Sequence, residues 1–192
     1  MSIATLPVAK PLIFPEDSLY EVVDGQVVEK TVSTYAALLA MRLLFSLKRH
    51  LDSESLGMVV METMFLLDAA KNLRRRPDVA VVSSRSWPVE QIPPLEGDWN
   101  VVPLLVVEVL SPNDLYHQVD RKLQEYLRYG VQEVWLISPE ARCVEVFRDS
   151  TSRSRFDVGD AVETTLIPGW SMDVAELIPL PAATLNSEPN RE

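Results

Sequence analysis

A chain of 192 residues with 47% hydrophobic content is sized for one domain with a substantial core. The 18 basic and 28 acidic side chains leave a formal charge of −10, which argues against a protein that coats nucleic acid through charge alone, though not against a nuclease with a local basic patch. The single cysteine, Cys143, excludes an intrachain disulfide and a cysteine-based zinc site, and the longest uncharged apolar run, residues 101–107, is too short to cross a bilayer.

Residues 1–18 read as a flexible leader, with three prolines and no sustained apolar core, unlike a secretory signal. A cytoplasmic location without membrane association is therefore the expectation. YEVVDGQVVEK (20–30) predicts a β-hairpin turning at Asp24-Gly25. Ser33 or Thr34 then caps a helix to about Leu51. Only Arg42, Ser46 and Arg49 form a polar stripe on that helix, so burial on more than one side is expected, by the chain itself or by a second subunit. A homodimer is the reading adopted.

GMVVMETMFLLD (57–68) reads as one strand, 72–76 as a polar link, and PDVAVVS as a strand beginning at Pro77. Residues 83–103, with four prolines and two tryptophans, form a long loop suited to a lid or a substrate contact. VPLLVVEVL is a continuous apolar run, the pattern of a strand covered on both faces. A helix from about Leu115 to Tyr129 stops at Gly130. VQEVWLIS and RCVEVFR pair as strands, and AVETTLI and SMDVAEL close a single domain over 19–178. Residues 179–192 read as a disordered tail. The order predicts an α/β fold with a mixed central sheet, flanking helices and an N-terminal β-hairpin.

Three charges sit awkwardly in this pattern. Asp78 and Glu108 lie in Val/Leu runs, and burying an unpaired charge costs several kcal/mol, so such groups pair, neutralise or bind a metal. Taken alone, Asp78 also fits a turn residue and Glu108 a frayed strand end. On its helix, Lys122 falls within the apolar arc of Leu115, Val119, Leu123, Tyr126 and Tyr129, where, for the helix taken alone, a lysine snorkelling from the stripe's edge is the simpler fit. Reach favours a partner. Glu108 lies roughly 7 Å before the strand end at ~3.3 Å per residue. Lys122 lies roughly 12 Å along the helix at ~1.5 Å per residue. The difference of about 5 Å is within a lysine's span. Two carboxylates with a lysine suit Mg²⁺ or Mn²⁺, which takes oxygen ligands and acts on phosphate esters.

RRPDVAVVS, VVEVLSPND and DRKLQEYLRYGVQEVWLI, in that order after YEVVDGQVVEK, resemble the PD-(D/E)xK nuclease superfamily, specifically its Uma-two branch, over about residues 19–178. The resemblance implies a restriction endonuclease-like core. Asp78 and Glu108 would be metal ligands, Lys122 would take the lysine's role, and Glu29, ahead of Glu21, would be an additional site acid. Two departures stand out. Leu110 occupies the place of the usual lysine, and KTVSTYAA replaces a segment that often carries Ser-Pro and a histidine. The expected function is metal-dependent hydrolysis of DNA phosphodiester bonds, with Arg74, Arg75 and Arg76 as phosphate contacts. A catalytically silent binding or assembly module on the same fold is the alternative.

Overall fold

The computed structural model describes residues 19–30, 32–95 and 97–180; the leader and most of the tail lie outside them. The hairpin forms as expected. β1 (Tyr20–Val23) pairs antiparallel with β2 (Gln26–Glu29), and Asp24 and Gly25 both take positive φ, as a two-residue type I′ turn requires. In α1 (Thr34–Glu54) the Ser33 hydroxyl accepts from the Ala36 N–H, filling one of the unpaired donors of the first turn. The helix runs three residues past its expected end at Leu51. Leu39, Leu43, Leu47 and Leu51 are buried along one face, whereas Leu38, Met41 and Phe45 remain exposed.

The predicted strand at 57–68 is two strands. β3 (Gly57–Met61) and β4 (Phe65–Asp68) are separated by a break in which Glu62 adopts φ +47°. The break sends the halves to different sheets. β4 pairs with β5 (Leu73–Arg75), and β3 pairs with β6 (Val79–Ser83). The supposed polar link is thus itself a strand, anchored by Leu73 and by a buried Arg75.

β7 (Leu105–Val109), α2 (Tyr116–Arg128) and β8 (Glu133–Ser138) form a parallel crossover, followed by β9 (Cys143–Phe147) and β10 (Arg153–Asp157). β10 was not foreseen, because its sequence, RSRFD, is that of an exposed edge strand with little apolar patterning. β11 (Ala161–Glu163), β12 (Ser171–Asp173) and α3 (Val174–Leu177) realise the last two segments as shorter pieces. The central sheet has six strands in the order β10-β9-β8-β7-β6-β3, mixed because only β7 and β8 run parallel. A second sheet, β2-β1-β5-β4, carries the hairpin.

Strand alternation sorts the core into two layers. Val79, Val81, Leu105, Val107, Trp135 and Ile137 pack toward α1. Ala80, Val82, Val106, Val134 and Leu136 face the other way, against Leu123 and Tyr126 of α2. The long loop joins this second layer through Trp99, which stacks on Phe65 at 5.7 Å and meets the Trp87 edge at 5.4 Å. Its tryptophans therefore serve as packing anchors. By the same parity Asp78 and Glu108 project to the α2 side, where the site lies.

Candidate active site

Three acids stand in one row across the central sheet. The registers Met61↔Val79 and Val79↔Val107, each extended by one residue, set Glu62 opposite Asp78 and Asp78 opposite Glu108. The Glu62 N–H donates to the Asp78 carbonyl at 3.3 Å, continuing the ladder. Asp78 and Glu108 are both nearly inaccessible. Adjacent strands are about 4.8 Å apart, so the row concentrates like charge that must be answered locally.

Two lysines answer it. Lys122, from the second turn of α2, donates to Glu108 Oε2 at 2.9 Å and lies 3.3 Å from Glu21 Oε1. The expected convergence of Asp78, Glu108 and Lys122 on one place is what the geometry gives. The helix supplies Tyr126 as well, whose hydroxyl donates to Glu108 Oε1 at 2.7 Å. Leu115, assigned to the apolar arc, instead precedes the helix and is exposed. Lys30, just after β2, pairs with Asp78 Oδ1 at 2.7 Å and Glu62 Oε2 at 2.8 Å. The other Asp78 oxygen accepts from the Val109 N–H at 2.6 Å. A pocket of about 320 Å³ opens onto Asp78, Glu108, Lys30 and Lys122.

The upstream acids differ in burial. Glu29 is exposed at the pocket lining, while Glu21 is buried beside Lys122. Residue 21 lies in β1, between β2 and β5, and residue 29 at the end of the outer strand β2, which accounts for the difference in exposure. Lys30, Glu62 and Tyr126 were missed altogether. Tyr126 had a signal, since it lies four residues beyond Lys122 on the same face.

Electrostatics follow from burial and crowding. Burial pushes the Glu108 carboxyl up from the usual carboxylate value, Asp78 and Glu21 add to this, and Lys122 and Lys30 only partly offset it. Burial likewise raises Glu62 against the pull of Lys30. Burial works against the Lys122 charge, but Glu108 and Glu21 outweigh it and hold the ammonium well above an ordinary lysine. Lys30 behaves alike, with Glu108, Asp78 and Glu62 overcoming burial.

The arginine cluster divides: Arg75 is buried, while Arg74 and Arg76 are half-buried. Arg75 is buried, donating to Glu21 Oε2 at 2.7 Å and through Nε to Glu125 Oε2 at 2.8 Å. Arg76 donates to the carbonyls of Tyr20 and Glu62, and Arg74 pairs with Asp98 and Asn72. β5 alternation turns Arg75 inward, whereas Arg74 and Arg76 stay half-buried while bonded within the protein.

The donor set suits a hard divalent cation. Asp78 and Glu108 are neighbouring carboxylates at one pocket, and Mg²⁺ is commonly held by one or two carboxylates with water and substrate oxygens completing its shell. Among the described residues no three His, Cys, Asp or Glu side chains form a ready-made metal cage. The pair would thus offer an open site rather than a closed one.

A mixed six-stranded sheet with helices on both faces, an N-terminal hairpin and acids beside the β6–β7 ladder defines a restriction endonuclease-like protein. The profile of the Uma2 family, described as "Putative restriction endonuclease", matches residues 6–175, and the chain belongs to that family. The fold is similar to the crystal structure of a "putative nuclease belonging to DUF820" from Anabaena variabilis ATCC 29413, with a TM-score of 0.70 and 17% identity over 83% of this chain and 89% of that one. A weaker likeness, TM-score 0.33 at 14% identity, is to the DrdV-DNA complex, covering 65% of this chain and 12% of that chain. No curated protein matches the chain. Among the described residues no helix is long and apolar enough to cross a membrane.

Proposed function

We propose that this protein is a divalent-metal-dependent endonuclease that hydrolyses DNA phosphodiester bonds. The observation that carries the reading is the meeting of Asp78, Glu108 and Lys122 at one pocket, with Lys122 2.9 Å from Glu108. Asp78 and Glu108 would hold Mg²⁺ or Mn²⁺, which when bound supplies a Lewis acid and a water of lowered pKa. Tyr126 fixes the Glu108 carboxylate by donating to its second oxygen, and the Val109 N–H does the same for Asp78. Lys122, with one N–H beyond its two acid contacts, offers a cation to the charge that builds on the phosphate as the scissile bond breaks. Family membership and the shared fold support the reaction class.

Plasmid cleavage with and without Mg²⁺ or Mn²⁺ tests it. Wild type is expected to nick or linearise plasmid only with metal, and Asp78→Ala and Glu108→Ala to reduce the rate by at least about 10²-fold, the scale of losing one strong transition-state contact. Equal activity in all three proteins sinks this assignment. The second reading, a silent binding module, draws support from the lysines that already pair with both acids. Calorimetry showing no Mg²⁺ or Mn²⁺ association favours it.

The homodimer belongs to the same proposal. Leu38, Met41 and Phe45 leave an apolar stripe exposed along α1, with Phe45 63% accessible. Sedimentation velocity is expected to show a dimer that Phe45→Glu converts to monomer. A monomeric wild type discards the dimer.

A further inference from the structure

The chemistry above gives Lys122 a task and leaves Lys30 without one. Lys30 donates to Glu62 Oε2 and to the Arg76 carbonyl, each at 2.8 Å, and its ammonium forms an ion pair with Asp78 Oδ1 at 2.7 Å. An ammonium has three donors and no acceptor, and three protein oxygens already crowd this one. Its side chain is only 9% exposed. Lys30 is thus held among the protein's own oxygens, with its charge already met by two acids.

What surrounds its nitrogen is informative. Two carboxylates and a backbone carbonyl converge on one point, and hard oxygens in that combination are the ligands of a divalent cation. The cradle is assembled from the turn after β3, which supplies Glu62, and the link between β5 and β6, which supplies the Arg76 carbonyl and Asp78. Glu62 lies on the far side of Asp78 from Glu108, so the row has room for two cations, one on each side of Asp78. An amine tethered to the end of β2 fills the outer place.

We propose that Lys30 is the built-in second cation of the site: a positioning residue whose ammonium fills a Glu62–Arg76 carbonyl–Asp78 cradle, fixes Asp78, and leaves room for one divalent ion where two would otherwise bind. The wild-type count of one rests on the metal-dependent reading above, whereas the cradle does not.

Calorimetric titration of the full chain with MnCl₂, without DNA, decides it. Lys30→Ala is expected to bind one more Mn²⁺ per chain than wild type, and Lys30→Ala/Glu62→Ala to return to the wild-type count. A merely structural lysine would change the melting temperature and leave the stoichiometry alone. Equal counts in wild type and Lys30→Ala overturn the proposal, whatever the plasmid assay gives. Two Mn²⁺ ions on wild type overturn it too. None on wild type and one on Lys30→Ala supports the cradle while removing the metal site at Asp78 and Glu108. If Lys30→Ala does not fold, Lys30→Gln takes its place in the titration. Both variants remaining unfolded in Mn²⁺ counts against the idea, because the ion should then replace the missing charge.

Discussion

Lys122→Met is expected to lower plasmid cleavage by about 10²- to 10³-fold, the range for removing one preorganised electrostatic contact, while Mn²⁺ binding is retained. Methionine keeps much of the aliphatic stem and removes the charge. The charge matters because Lys122 faces the pocket with Glu108 at 2.9 Å and Glu21 at 3.3 Å as its partners. Those two acids hold it above an ordinary lysine, so it stays protonated through the neutral and mildly alkaline range. A protonated amine beside the phosphate fits electrostatic stabilisation, which is the contribution assigned to it. The same substitution leaves two buried acids short of a cation, so cleavage must be read well below the variant's melting temperature. Cleavage rates on supercoiled plasmid, paired with Mn²⁺ calorimetry, check both halves. Undiminished cleavage returns Lys122 to the role of a snorkelling lysine.

The residues legible in the sequence were those that break a local pattern. Asp78 and Glu108 interrupt apolar strands, and Lys122 interrupts an apolar helix face, so each was visible without a partner. The helix-and-strand reach of about 5 Å sufficed to pair Lys122 with Glu108, because β7 and α2 are joined by a short connection and pack back on one another. Glu62 broke nothing visible. In GMVVMETMF it reads as a polar residue in an ordinary strand, and its position becomes special only through the β3–β6 register and the turn at positive φ. Lys30 depends on the placement of the hairpin relative to the central sheet, a contact 48 residues distant from Asp78 in sequence number. Arg75 was misjudged for a related reason. A basic run before a strand has the composition of a solvated patch, and only the pairing of β5 with β1 and β4 reveals that it lies inside a second sheet. Local chemistry was readable; non-local register was not.

Arg75→Met is expected to destabilise the protein by about 3–5 kcal/mol, the cost of removing one partner from a buried ion pair. Arg75 is the sole cation shared by Glu21 and Glu125 among the pairs formed by the described residues, through NH1 at 2.7 Å on one side and Nε and NH2 at 2.8 and 2.5 Å on the other. Burial opposes its charge, and the two acids with Tyr126 more than compensate, holding the guanidinium above its usual value. Glu125 keeps Arg121 at 2.8 Å, so the larger deficit falls on Glu21. Burial would raise the Glu21 carboxyl, but Lys122 and Arg75 outweigh it and keep it low, so losing Arg75 removes one of its two cations. A chain of this size loses about 2–4 °C per kcal/mol, which places the expected fall at roughly 6–20 °C in a thermal scan. Adding Glu21→Gln to Arg75→Met should recover part of that loss, because a neutral amide no longer needs the missing guanidinium. Arg75→Lys should fall between, since an ammonium cannot make the forked contact to both acids. If urea unfolding shows Arg75→Met within about 0.5 kcal/mol of wild type, the range of an ordinary surface change, the β1–β5 sheet does not depend on this pair. In that case Glu21 is held at the site by Lys122 and the Arg76 N–H alone, contacts of 3.3 and 3.0 Å.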